Sequence, residues 1–162
     1  MRFLKFFLLF ICLTLSANAE NTKVDKIIVH KADRKMELFS GSTLVKKYNI
    51  ALGGQPVGPK QVQGDSKTPE GDYIISGRND KSAYHLSLRV SYPNAEDRAR
   101  AKKLGKNPGG DIMIHGLPNG FKWTGQASKM ADWTDGCIAV TNAEIEEIWK
   151  LVNNGTKITI LP

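Results

Sequence analysis

The sequence is poor in cysteine and histidine, with two and three of them in 162 residues, and it has no apolar run long enough to cross a bilayer. A spanning helix needs about 20 consecutive apolar residues. The one candidate run, Phe6 to Leu15, is shorter; Arg2 and Lys5 stand at its start, and Ala17 and Ala19 flank Asn18 after it. That is the form of a secretory signal peptide cleaved after Ala19, so residues 1–19 are read as a leader and residues 20–162 as one exported domain, with no integral membrane segment left after cleavage. Phe10 and Ile11 precede Cys12 where a lipid-attachment site would have small residues, so Cys12 is expected to leave with the leader. One cysteine then remains. Cys137 has no partner for an internal disulfide and none to resolve a redox reaction, which leaves an inert buried thiol, half of an intermolecular bond, or a nucleophile.

Internal repeats, low-complexity segments and nucleic-acid-binding motifs are also missing. The formal net charge is +7, and two of the basic residues fall in the leader. The cluster Arg98, Arg100, Lys102, Lys103 and Lys106 therefore reads as a solvated helix face or as attraction to an anionic envelope surface, not as a nucleic-acid site. No wall-sorting signal accompanies the chain, and the periplasm is the expected compartment.

What is present is mainly strand pattern. Val24–His30, Lys35–Phe39 and Thr43–Leu52 are short runs separated by polar turns, which predicts an antiparallel meander. Gly53 to Gly71 is dense in glycine and proline and reads as a long exposed loop able to cover a cleft. Tyr73–Ser76 returns to strand. Tyr84 to Ser91 alternates, with Tyr84, Leu86, Leu88 and Val90 on one face and His85, Ser87 and Arg89 on the other. Asn94 can cap a helix from Ala95 to about Leu104. Thr141 with Glu144 forms a capping box for a second helix reaching about Val152, whose Ile145, Ile148, Trp149 and Val152 make an apolar stripe. Lys157–Leu161 closes the chain. The expected fold class is mainly β with a few helices (α+β).

Chemistry concentrates between Asp111 and Thr141. Ile112–Ile114 reads as a buried strand that delivers His115 and Gly116 to a loop, and Trp133–Cys137 as a tight turn feeding the strand Ile138–Val140. A thiol attacks carbonyls only as thiolate and is mostly protonated near neutrality, so it needs a base. His115 can serve if the two strands pair, and the Gly116 carbonyl can accept a proton from its ring. Gly136 permits a tight turn in which the amides of Gly136 and Cys137 face a developing oxyanion. Asp135 stands two residues from the thiol and is read as a binder of a cationic substrate group. Tyr84, His85, Arg89 and Trp123 are further candidates for substrate contact, while Trp133 and Trp149 are read as core.

The stretches GDSKTPEGDY (Gly64 to Tyr73), IHG (Ile114 to Gly116) and TDGC (Thr134 to Cys137), in this order, resemble the L,D-transpeptidase catalytic domain of the YkuD family of bacterial cell-wall enzymes. The resemblance implies a β-sandwich or barrel-like fold with a helix packed on the sheet, no metal or other cofactor, and peptidoglycan stem peptides as substrates. It implies that Cys137 is the acyl-accepting nucleophile, His115 its base and Gly116 the backbone orienter. It also implies inhibition by carbapenems. Asp135 stands where the family usually has a second histidine, and Ala139 where an Arg or Asn is common. The Asp-Gly-Cys variation resembles a branch with peptidoglycan L,D-carboxypeptidases and amidases. The expected reaction is transfer of a stem peptide from a Cys137 thioester to an amine; hydrolysis of the same thioester, and a non-catalytic wall-binding module, are the alternatives.

Overall fold

A computed structural model describes residues 23–120 and 131–162 of the chain. The leader and Trp123 lie outside the described residues. The strands are β1 (Val24–His30), β2 (Lys35–Ser40), β3 (Thr43–Asn49), β4 (Gly71–Ser82), β5 (His85–Val90), β6 (Met113–His115), β7 (Ile138–Ala139) and β8 (Val152–Leu161); the helices are α1 (Ala95–Lys103) and α2 (Asn142–Leu151). The strands form one curled, half-barrel sheet in the order β3-β2-β1-β8-β4-β5-β6-β7. The pairs β1/β8 and β6/β7 are parallel and the others antiparallel. The mainly β fold with a helix, α2, packed on the sheet is the one the sequence predicts.

Alternation drives the sheet. Ile27 and Val29 of β1, Met36 and Leu38 of β2, and Ile158 and Ile160 of β8 are fully or almost fully buried at two-residue steps, and Leu88 and Val90 of β5 join them. Ile145 and Ile148 of α2 complete the core against β5, β6 and β8. Both helix starts follow from the sequence. Asn94 and Asp97 cap α1 reciprocally, and Thr141 and Glu144 do the same for α2.

Four differences from the sequence reading bear on how the site is held. The third strand ends at Asn49, and Ile50–Leu52 runs on, fully buried, to an isolated bridge between Ala51 and Ala139. β4 reaches Ser82 because Arg78 anchors its distal half, donating to the carbonyls of Val152 (2.8 Å) and Trp149 (2.7 Å). α2 passes into β8 with no intervening loop. Val152 is extended and pairs with Val24, and Gly155, at φ +88°, lies in the bulge before Lys157. The fourth concerns Gly53 to Gly71, which is exposed only in part: Gly53, Lys60, Thr68 and Pro69 are buried, while Val57 is 84% exposed. Thr68 is fully buried, and Lys31, only 3% exposed, donates to Gly58 O (2.7 Å), Thr68 O (2.9 Å) and Glu70 Oε1 (2.8 Å). Backbone carbonyls and a carboxylate turned toward one buried ammonium hold the segment down.

Candidate active site

β6 and β7 run parallel with Ile114 opposite Ile138 and His115 opposite Ala139, which sets Met113 beside Cys137. The Met113 N–H donates to Cys137 Sγ at 3.4 Å, and the thiol lies 3.5 Å from Asp111 O. On the other side, β5 pairs with β6 through Ser87 to His115 and Arg89 to Met113. Side chains from β4, β5 and β6 and from the loops beside them thus surround a cavity of about 350 Å³, whose lining includes Cys137, His115, Tyr84, Ser87, Asp111 and Asp135.

His115 is 3% exposed, and its Nδ1 lies 2.6 Å from Gly116 O. A carbonyl only accepts, so Nδ1 carries the proton and Nε2 holds the free lone pair. Gly116 must be glycine. A Cβ there would sit 2.6 Å from Asn142 Oδ1 and 3.1 Å from Tyr84 O. Asn142, the first residue of α2, also accepts from Leu117 N at 2.8 Å, so the helix start fixes the orienting carbonyl. Tyr84 tilts over the imidazole with ring centroids 4.5 Å apart, and Trp133 meets it edge-on at 5.8 Å. Burial holds the His115 pKa below its ordinary value, outweighing the Gly116 contact. Burial also pushes the Cys137 thiol above its ordinary value. Met113 N–H and Lys60 oppose that rise, and Asp135 and Asp111 add to it. Both groups rest neutral, and no hydrogen bond joins them directly among the described residues.

The turn before the thiol is organised by Thr134, which is 6% exposed. Its hydroxyl donates to Cys137 O at 2.8 Å and accepts the Gly136 N–H at 3.1 Å. This corrects the expectation for Gly136. Its amide is committed to Thr134, so only the Cys137 N–H, which donates to nothing among the described residues, is left for an oxyanion. Gly136 is required for another reason. Its φ is +128° and a Cβ would lie 2.5 Å from Lys67 O, so the turn rests directly on the segment that Lys31 holds.

Cys137, His115, Asp135 and Tyr84 therefore share one cavity, with Gly116 behind the ring, and Arg89 lines an adjoining one. His85 does not join them. It takes φ +67° at the β4–β5 turn and its Nε2 meets Glu146 at 2.7 Å on the surface beside α2. That turn breaks the alternation, which is why Tyr84 faces the cavity and not the side of Leu86 and Leu88. Trp133 is likewise cavity lining and not core. Trp149 is partly buried, under the Arg78 guanidinium at 4.0 Å. Thr134, Asp111 and Asn142 escaped the sequence reading. Only Thr134 carried a signal, a hydroxyl two residues before a glycine, as in side-chain-closed turns.

A family model described as YkuD, the L,D-transpeptidase catalytic domain, matches residues 25–160. The chain belongs to this family. Among curated proteins, Escherichia coli (strain K12) "Putative L,D-transpeptidase YafK" is 32% identical over 132 residues, 78% of this chain and 46% of that protein. Among solved structures, the helical cell shape determining protein Pgp2 of Campylobacter jejuni superposes with a TM-score of 0.66 at 26% identity, covering 85% of this chain and 47% of that one. The LD transpeptidase LdtMt1, solved in complex with imipenem, has a TM-score of 0.54 at 14% identity over 84% of this chain and 58% of its own, a likeness of fold. The chain spans about half the length of the first two relatives. As a member of the YkuD family it carries the L,D-transpeptidase catalytic domain over residues 25–160, and Ala139, 1% exposed and opposite His115, adds no charge there.

Proposed function

We propose that the protein is a cysteine-dependent L,D-transpeptidase of peptidoglycan stem peptides, exported to the periplasm by residues 1–19 and acting through residues 20–162. The observation that carries this reading is the contact at His115: with Nδ1 2.6 Å from Gly116 O the ring proton is assigned there, which leaves Nε2 as the base on a residue lining the cavity that also holds the thiol.

The chemistry follows from two neutral groups. As Cys137 Sγ attacks the carbonyl before a terminal D-alanine, its proton passes to His115 Nε2, and the Cys137 N–H donates to the oxygen that becomes negative. Collapse breaks the carbon–nitrogen bond; the departing amine takes the proton from the imidazolium, leaving a thioester on Cys137. An amine of a second stem then attacks the thioester, gives its proton to His115, and expels the thiolate, which the imidazolium reprotonates. Tyr84 and Trp133, packed around the ring, limit water at the base. Asp135, exposed at the cavity rim, attracts the ammonium group of the acceptor.

Incubation with a disaccharide tetrapeptide tests this. Crosslinked dimer is expected, and a carbapenem should add once to the protein by intact mass and not to Cys137→Ala. Tripeptide as the sole product in excess acceptor would replace the transferase with a carboxypeptidase at the same thiol. Absence of both turnover and adduct would remove the acyl-enzyme.

A further inference from the structure

Among the described residues, the cavity that holds the thiol is lined by two carboxylates, Asp111 and Asp135, and by no lysine or arginine. Stem peptides are rich in carboxylates, so a cleft that takes them needs a cation within reach. A second cavity of about 210 Å³ adjoins the first, sharing Asn79, Ser87 and Met113 as wall, and it contains Arg78 and Arg89. Arg78 is already spent on the carbonyls of Trp149 and Val152 and on the Trp149 ring. Arg89 is not. Its side chain is 54% exposed, and the partner it has, Asp111 at 2.8 Å, is 76% exposed. An ion pair that open to water contributes little, so exchanging its carboxylate for another is nearly free.

Register fixes where Arg89 stands. It pairs with Met113 across β5/β6, and Met113 in turn lies beside Cys137, its N–H on the sulfur. Two strand spacings of about 4.8 Å put the Arg89 backbone roughly 10 Å from that of Cys137 on the same face, the span of about three residues of extended peptide. Asp111 itself is held at φ +55°, an uncommon conformation for a non-glycine residue, with its carbonyl at the thiol and its carboxylate on Arg89.

We propose that Arg89 is the docking group for a carboxylate of the bound stem peptide, and that Asp111 is a placeholder which that carboxylate displaces. This rests on the stem-peptide reading of the site and assigns the cation that its substrates need. A guanidinium can donate two N–H bonds to an incoming carboxylate, in place of the Nη1–Oδ1 approach of 2.8 Å that it now makes to Asp111. The shared chemistry is a peptide carboxylate; the terminal D-alanine and the side-chain carboxylate of a diaminopimelate residue are its two sources.

Calorimetric binding of disaccharide tetrapeptide to the Cys137→Ala protein tests the proposal without turnover. Arg89→Ala should weaken binding a few-fold and Arg89→Lys by less. Asp111→Asn, which empties the placeholder, should tighten binding. Repeating the titration with peptide amidated at one carboxylate or the other should show which is docked: for that analogue alone, Arg89→Ala changes nothing. If Arg89→Ala and Asp111→Asn weaken binding alike, the pair is only a structural tie and the proposal fails. It fails equally if Arg89→Ala has the same effect on both amidated peptides and the parent. Loss of turnover in the otherwise unaltered protein, with Arg89-dependent binding intact, would instead sink the transferase reading and leave the docking site standing.

Discussion

At Cys137 and His115 the same burial acts in opposite directions on two pKa values. Desolvation disfavours the charged form of each, so the thiol is pushed above its ordinary 9.0 and the imidazole below its ordinary 6.5. The thiolate–imidazolium pair is thus the minor state of the free protein, and proton transfer belongs to the attack itself. The sign is testable with iodoacetamide, a neutral reagent that reads thiolate. Because burial pushes the folded thiol above its ordinary 9.0, its alkylation rate should rise about tenfold per pH unit from pH 6 to pH 8, with no plateau between pH 5 and 8. His115→Ala should leave that profile unchanged below pH 9 while abolishing peptide turnover. A plateau near neutrality that vanishes in His115→Ala would show a preformed ion pair and overturn this account.

The turn from Thr134 to Cys137 shows how an element holds a reactive group. One hydroxyl closes it twice, accepting from Gly136 N and donating to Cys137 O, while Thr134 N and O continue the backbone pairing to Leu52 and Gly54. Thr134→Val keeps the shape and removes both bonds, leaving a buried N–H unpaired. A loss of about 1–3 kcal/mol in denaturant unfolding is expected. The fall in kcat should exceed the change in KM, because the Cys137 amide loses its setting, and Thr134→Ser should restore most of both. Equal behaviour of Val and Ser would show the hydroxyl to be idle. The sequence announced this element only in outline. The Trp133–Cys137 turn, the Ile138 strand and the Thr141 capping box were legible because each depends on local residue types. The closing bonds are local too, signalled only by a hydroxyl two residues before Gly136, whereas the approach of Gly136 to Lys67 O is set by the fold and left no mark in the sequence. The same holds for Tyr84 and His85, whose faces depend on a turn with positive φ that local alternation does not reveal.

On the scale of the whole molecule, the sheet edge that carries the thiol rests on a loop tied down by buried polar groups. Lys31 grips its ends near Gly58 and Glu70, and Lys60 meets Asp65 at 2.8 Å in its middle. Asp65 also accepts from the backbone of Gln61 (2.7 Å), Val62 (3.0 Å) and Lys67 (3.2 Å), the last being the residue whose carbonyl faces Gly136. Burial alone would raise the Asp65 pKa, but Lys60 and the three amides together outweigh it and hold the carboxyl below its ordinary 3.8. A carboxylate whose folded value is depressed stabilises the fold fully above its unfolded value, and that contribution is lost as pH falls through the folded one. Asp65→Asn cannot accept at both oxygens. It should therefore cost about 2 kcal/mol at pH 7, and the gap to the parent protein should close only below pH 3.8. Thermal unfolding of both proteins from pH 7 to pH 2 measures this. A gap that is constant across the series would mean that the loop is held by packing, and the carboxylate is incidental. Because the loop supports Gly136, Asp65→Asn should also lower kcat at pH 7 without altering the iodoacetamide profile, separating the scaffold beneath the turn from the ionisation of the thiol upon it.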